Sequence, residues 1–187
     1  MNPNQVVEDA KTRLGQAASH FQDDLKKLRT GRASAGMLDG VVVEVYGTSM
    51  PLNQVASIAT PEAQLLQITP FDPNNLPAIT AAIRDNQSLG LNPADDGRVV
   101  RVPIPPLTEE RRRDITKQVG AKQEDCMVRL RNIRHDSLDT IEKAKKDKEI
   151  GEDDAKRLVQ QVEDAMNKVK TEVEAIAKAK EQEIMTV

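Results

Sequence analysis

The chain has almost no aromatic residues. Phe21, Tyr46 and Phe71 are the whole set, 2% of the sequence, and tryptophan is absent. Modules that read single-stranded nucleic acid stack bases on aromatic platforms, and three rings spread over the chain do not furnish one. There is one cysteine, Cys126, so no internal disulfide can form, which suits a reducing compartment. No apolar run approaches the ~20 residues needed to span a bilayer. The N-terminal MNPNQVVEDAKTRLGQ lacks both the apolar core of a signal peptide and the arginine-rich, acid-poor composition of a transit peptide. The expectation is a soluble, cytoplasmic protein with no membrane contact. A surplus of basic charge is missing too: 27 Lys and Arg face 30 Asp and Glu, a formal charge of −3 with a pI near 5.5. That excludes coating nucleic acid by bulk charge, so any nucleic acid is bound through local charge and shape.

Proline is scarce except in the middle. Nine of the ten lie from Pro51 to Pro106, and the other is Pro3. A proline costs about 3 kcal/mol in a helix interior. Residues 4–50 and 107–187 are therefore free to be helical, whereas 51–106 cannot form one long helix.

The first flank carries Val7, Ala10, Leu14, Ala17, Phe21, Leu25 and Leu28 at three- and four-residue intervals, one apolar stripe along a helix. Ala155, Leu158, Val162, Ala165, Val169, Val173 and Ile176 repeat the rhythm near the C-terminus. A third stripe, Ile115, Val119, Cys126, Leu130, Ile133 and Ile141, runs through a segment from about Leu107 to Lys146, with Thr108 placed to cap it and Glu109 and Glu110 suiting its positive end. Gly151 in KDKEIGEDD divides this helix from the next. At ~1.5 Å per residue the helices are roughly 35–60 Å long, and three such stripes bury one another as an elongated bundle with coiled-coil-like packing.

The middle reads as strands and one short helix. GVVVEVYG (40–47), LLQITP (65–70) and RVVRVPI (98–104) are strand candidates, and PNNLPAITAAIRDNQSLG (73–90) predicts a helix starting near Asn75 or Pro77 and ending at Gly90. The fold class is α+β: a three-helix bundle with an inserted small β/α/β domain. Residues 1–30 supply its first helix, 31–106 the insert, and 107–187 its second and third helices. The chain enters the insert near LRTGRAS (28–34) and leaves through VPIPPLT (102–108), and two crossings at one place make a hinge possible.

Charge follows the same boundaries. There are 6 basic and 4 acidic side chains in residues 1–35, 3 and 9 in 36–110, 12 and 7 in 111–148, and 6 and 10 in 149–187. The positive charge is concentrated on the middle helix, above all in RLRNIRHD (129–136). With Ile133 facing the core and ~100° per residue, Arg134, Arg131 and His135 share the solvent side, while Arg129 and Lys122 lie along the flanks with their stems packed. Any exposed helix face carries charge, but this one is almost wholly positive up to Asp136, and arginine's planar fork suits phosphate. Leu138 falls on the same face, where it calls for a covering partner.

Catalytic and metal constellations fail on their residues. GRASAGM (31–37) has the glycine spacing of a phosphate loop but offers Met37-Leu38 where Lys-Ser/Thr is required. NPADDG (92–97) opens like a calcium loop, yet Ala94 is no ligand and Pro103 stands at the closing glutamate position, so it reads as a turn. His20 and His135 are the only histidines, and Cys126 sits on an apolar stripe as a buried, inert thiol. The expectation is no enzyme, no cofactor and no bound metal.

LRTGRAS (28–34), LDGVVVEVYGT (38–48), SLGLNP (88–93), IPPLTEERRRD (104–114), VRLRNIRHD (128–136) and KDKEIGEDD (146–154), in this order and spacing, resemble the ribosome recycling factor family along essentially the whole chain. The resemblance implies an L-shaped, two-domain outline. It implies a monomer that lies with its bundle on large-subunit ribosomal RNA of the post-termination ribosome and splits it into subunits with elongation factor G and that factor's GTP hydrolysis. It places Arg131, Asn132 and Arg134 in the family's basic RNA-contact motif, with His135 and Arg129 beside them and Arg29 and Arg32 in a basic pair near the hinge. Gly31, Arg32, Pro105 and Pro106 fall in the hinge connections, and Thr30–Arg32 and Pro103–Pro106 are expected to flex as the motor factor pushes the insert. His135 stands where the family usually has arginine, making one charge pH-dependent. Gly151 replaces a frequent capping serine, and Val45 a frequent tyrosine. The alternative that the stripes alone would allow is a homo-oligomeric helical scaffold or chaperone-like coiled coil.

Overall fold

The computed structural model describes residues 2–186. The outermost residues of the expected bundle segments, 1 and 187, lie outside them. The chain forms two compact units, one running up to Leu28 and resuming over Arg112–Thr186, the other Arg29–Arg111.

Helices α1 (Pro3–Lys26), α4 (Glu109–Lys146) and α5 (Glu152–Thr186) build the first unit. Asn2 caps α1 by accepting the Asn4 N–H at 3.1 Å, with Pro3 opening the first turn. Thr108 caps α4, its hydroxyl accepting from the Arg111 N–H at 3.1 Å. Lys148, with φ of 58°, and Gly151 separate α4 from α5. The buried faces follow the stripes: Leu14 and Phe21 from α1, Ile115 and Leu130 from α4, and Val162 and Val173 from α5. Fully burying such a side chain is worth ~1.5–3 kcal/mol. Leu28, Ala165 and Ile176 are only half-buried, while Met166 and Ala177 take core places the stripe did not assign. Cross-helix contacts set direction: Ala17 meets Cys126 and Arg13 meets Asp136, so α1 and α4 are antiparallel, and Arg112 reaching the Met185 carbonyl makes α4 and α5 antiparallel as well. Leu138 does not wait for a partner, because it packs half-buried against the cluster of Val7, Ile141 and Leu158.

The second unit begins with a 3-10 turn, Ala35–Leu38, and a hairpin of β1 (Val42–Val45) and β2 (Thr48–Pro51). A helical turn α2 (Leu52–Val55) leads into β3 (Ala56–Glu62) and β4 (Leu65–Pro70). Helix α3 (Leu76–Arg84) follows, then β5 (Ala94–Asp95) and β6 (Val100–Pro103). The four-stranded antiparallel sheet has the order β3-β4-β6-β5. Val43, Val45, Leu66, Ile68, Ile79, Ile83, Val100 and Val102 close its core with α3. The alternation in β4 and β6 buries Leu66, Ile68, Val100 and Val102 on one face.

Helix α3 ends at Arg84, not Gly90. Ile83 is its last core residue, after which Asn86 starts a turn: its carbonyl accepts from the Leu89 N–H, and its amide oxygen accepts from the Ser88 hydroxyl. Leu91 then drops into the core on extended chain. The 92–97 segment is a turn in which Asp96 accepts from the backbone N–H groups of Arg98 and Val99 and pairs with Arg101. These contacts hold the Asp96 carboxyl well below the usual carboxylate range, the Val99 N–H contributing most.

Candidate nucleic-acid interface

Helix α4 carries the cations, and its neighbours decide which of them face solvent unpaired. Arg131 is exposed, but its Nη2 donates to Glu124 Oε1 at 2.7 Å, two turns earlier on the same helix. Arg134 is half-buried and lies side-on against Glu163 of α5: Nε is 2.9 Å from both carboxylate oxygens, and Nη2 donates to Oε1 as well. This hydrogen bonding fixes the guanidinium in its charged form and raises its pKa further. His135 Nε2 stands 3.3 Å from Asp139 Oδ2, with both side chains exposed. The face expected to be almost wholly positive is therefore interleaved with carboxylates. The reason is that Arg134 and Glu163 each follow a core residue, Ile133 and Val162, and so flank the same seam between antiparallel helices.

Arg129 is different. Its Nη1 lies 3.2 Å from His20 Nδ1 on α1, and among the described residues no carboxylate is within ion-pair distance of it. The same His20 nitrogen is 3.3 Å from Asp24 Oδ2, so an unprotonated Nδ1 accepts from Arg129 and a protonated one donates to Asp24. Asn132 is exposed on the same side. Arg13, Gln16, His20, Arg129 and Asn132 together line a groove of about 430 Å³ between α1 and α4. Arg13 reaches out of it to Asp136 at 3.0 Å. A second groove, about 600 Å³, lies between α4 and α5 and mixes Arg131, Arg134 and Lys170 with Glu124, Glu163 and Glu174. The first has two arginines and no carboxylate in its lining, with Asp9, Asp136 and Asp24 reaching Arg13 and His20 from outside it.

Arg13 and His20 were not singled out as interface residues in the sequence. They are brought in by the packing of α1 against α4, which sets Arg13 beside Asp136 and His20 beside Arg129, a register that neither helix shows alone.

The residues expected at the crossings divide. Arg29 is exposed, but its Nη2 donates to the Leu89 carbonyl at 2.5 Å, inside the insert. Arg32 is exposed; Thr30 is buried and already engaged, and Gly31 is buried with φ of 81°, a conformation that favours glycine. On the exit side Pro103 is paired with Leu65 in the sheet, and the Ile104 N–H is bonded to the Gln64 carbonyl at 2.8 Å. Regular structure is absent from Ile104 to the Thr108 cap.

No group of His, Cys, Asp and Glu able to hold a metal occurs among the described residues, and no described helix is long and apolar enough to cross a membrane. Cys126 is buried, its thiol aimed at the Ala17 carbonyl, and desolvation pushes its pKa up, away from nucleophilic use.

A helical bundle interrupted by a small sheet unit, with arginines spaced along its longest helix beside two grooves, defines an α+β protein without a catalytic constellation among the described residues. A family model described as "Ribosome recycling factor" matches residues 21–185. The ribosome-recycling factor of Halalkalibacterium halodurans is 46% identical over 183 residues, covering 98% of this chain and 98% of the relative. That of Mycobacteroides abscessus is 43% identical over 98% of this chain and 99% of the relative. The solution structure of a ribosome recycling factor superposes with a TM-score of 0.77 at 34% identity, covering 100% of this chain and 99% of the other. A second solved structure, of models for the T. thermophilus ribosome recycling factor and the E. coli elongation factor G bound to the E. coli post-termination complex, gives 0.66 at 35% identity, over 98% and 99%. The chain belongs to the ribosome recycling factor family.

Proposed function

We propose that this protein is a cytoplasmic, monomeric ribosome recycling factor that binds the post-termination ribosome and, with elongation factor G, separates it into subunits. The observation that supports this most is a relative of the same fold, matched along nearly its whole length, described in a complex with that factor and the post-termination ribosome. The bundle lies on large-subunit ribosomal RNA, with α4 and the α1–α4 groove toward phosphates. Arg129 and Asn132 make the first contacts there, and Arg131, Arg134 and His135 join by exchanging carboxylates for phosphate. An exposed ion pair is worth only ~0–1 kcal/mol, so the exchange costs little for Arg131 and His135, while Arg134, held side-on by Glu163, gives up more. Arg32 and Arg29 extend the contact near the crossings.

The protein is not an enzyme. It needs no cofactor, and GTP hydrolysis by elongation factor G supplies the work. The insert is the part that is pushed, flexing through Thr30, Gly31 and Arg32 on entry. On exit it flexes through Pro103, Pro105 and Pro106, and the pairing of Pro103 with Leu65 supports the larger share falling to the two later prolines. Co-sedimentation with empty and post-termination ribosomes, followed by light-scattering detection of splitting with elongation factor G and GTP, tests the proposal. Binding and factor-dependent splitting are expected, and no association with ribosomes would overturn it.

A further inference from the structure

Two of the chain's three aromatic rings are displayed on the insert instead of buried in it. Tyr46 is 73% exposed and Phe71 67% exposed. They belong to one end of that unit, because the Tyr46 hydroxyl donates to the carboxylate of Asp72, the residue after Phe71. Tyr46 and Gly47 form the two-residue turn between β1 and β2 with φ of 53° and 74°. That turn favours Asn-Gly, and a bulky side chain in the left-handed region crowds its Cβ against the following carbonyl oxygen. The turn would thus be steadier without tyrosine, and a residue held in such a conformation while exposing its ring points to a binding role. The ring is also tethered: Asn75, itself buried, points its amide at the Tyr46 oxygen at 3.5 Å, and Asp72 is fixed by the Asn74 N–H at 3.0 Å.

The surroundings are acidic. Glu44 is exposed two residues before Tyr46, Asp72 lies at the ring's tip, and among the described residues no cation pairs with either. Within the unit Arg84 pairs with Asp85 and Arg101 with Asp96. Residues 36–110 hold 3 basic against 9 acidic side chains, the unit's other cations, Arg29, Arg32 and Arg111, lying at its chain crossings, so away from the crossings the balance repels phosphate. Aromatic faces beside carboxylates attract guanidinium and ammonium groups, the rings through their quadrupole and the carboxylates through hydrogen-bonded pairing.

We infer that Tyr46 and Phe71, flanked by Glu44 and Asp72, form a docking surface for a basic protein segment that lays an arginine or lysine across the rings. The occupant is protein and not RNA, in contrast to the partner of α4. This rests on the ribosomal reading above only in supplying the complex in which the contact forms.

The test places photoreactive benzoylphenylalanine at Phe71, and separately at Asn132 on the bundle, in the full-length protein bound to post-termination ribosomes with elongation factor G. The cross-linked partners are then sequenced. The position-71 probe is expected to mark an arginine- or lysine-rich protein segment. Adding Tyr46→Asn, which suits the turn and preserves the fold, should lower that yield by about fivefold, while the position-132 probe continues to mark ribosomal RNA. The inference is overturned if position 71 marks RNA, a second copy of this chain, an acidic or neutral segment or nothing, while position 132 still marks RNA. Loss of the position-132 cross-link refutes the ribosomal reading itself, and the docking surface falls with it.

Discussion

The guanidinium of Arg134 grips the carboxylate of Glu163 edge-on, Nε 2.9 Å from each oxygen, and so ties the middle of α4 to α5. The geometry uses Nε and Nη2 and leaves Nη1 outside the pair. Arg134 is therefore both a clasp between two bundle helices and a cation whose Nη1 donors lie outside the clasp. Glu163 is the less exposed partner, at 29% against 40%, so the pair behaves as a flank of the core more than as a free surface contact.

If Glu163 screens Arg134, removing its charge should strengthen attraction to RNA. Glu163→Gln is expected to raise affinity for large subunits by up to roughly 1 kcal/mol and steepen its salt dependence. It should lower bundle stability by about 0.5–1 kcal/mol in urea titrations. Weaker binding would mean that Glu163 aims Arg134 instead of masking it.

Asp96 gives the insert a pH dependence of definite sign. Its folded-state pKa lies below its unfolded value near 3.8, so the ionised carboxylate stabilises the turn above that pH and the contribution disappears as the pH falls through the folded value. Asp96→Asn should flatten the stability profile of the insert below about pH 4, measured by amide exchange or urea unfolding between pH 2 and 6. A profile as steep as that of the unmodified protein would assign the acid transition to other carboxylates.

Leu130 is fully buried on α4 between the residues that carry the arginines. Leu130→Ala should cost about 2–5 kcal/mol of stability. At temperatures where the variant stays folded, ribosome binding should change far less than on loss of Arg129. A stability change under ~1 kcal/mol would show a seam more plastic than its burial implies.

Legibility in the sequence differs by element for physical reasons. The stripe from Val7 to Leu25 and the strand Leu65–Pro70 are visible because their apolar residues follow the period of the element that buries them. Strand β3 is not: it lies at the sheet edge, mostly exposed, and tolerates Pro61 because an edge residue owes no second ladder bond. Strands β2 and β5 are too short and too exposed to show a period. The cations of RLRNIRHD are legible as residues of α4, and so by position are Glu124 and Asp139, the same-helix partners of Arg131 and His135; Glu163 and His20 are not, since they reach Arg134 and Arg129 from other helices and no single-helix projection contains them. Leu138 misled for the same reason, because a one-helix wheel cannot show that two neighbours shelter it.

The salt dependence of large-subunit binding tests the central claim most directly. With the unmodified protein, Arg129→Ala and Arg134→Ala compared over a salt titration, each substitution is predicted to weaken binding by roughly 1–3 kcal/mol and to reduce the slope of log K against log salt by about 1. Binding and slope unchanged in both variants would contradict an α4 that meets ribosomal RNA through its arginines.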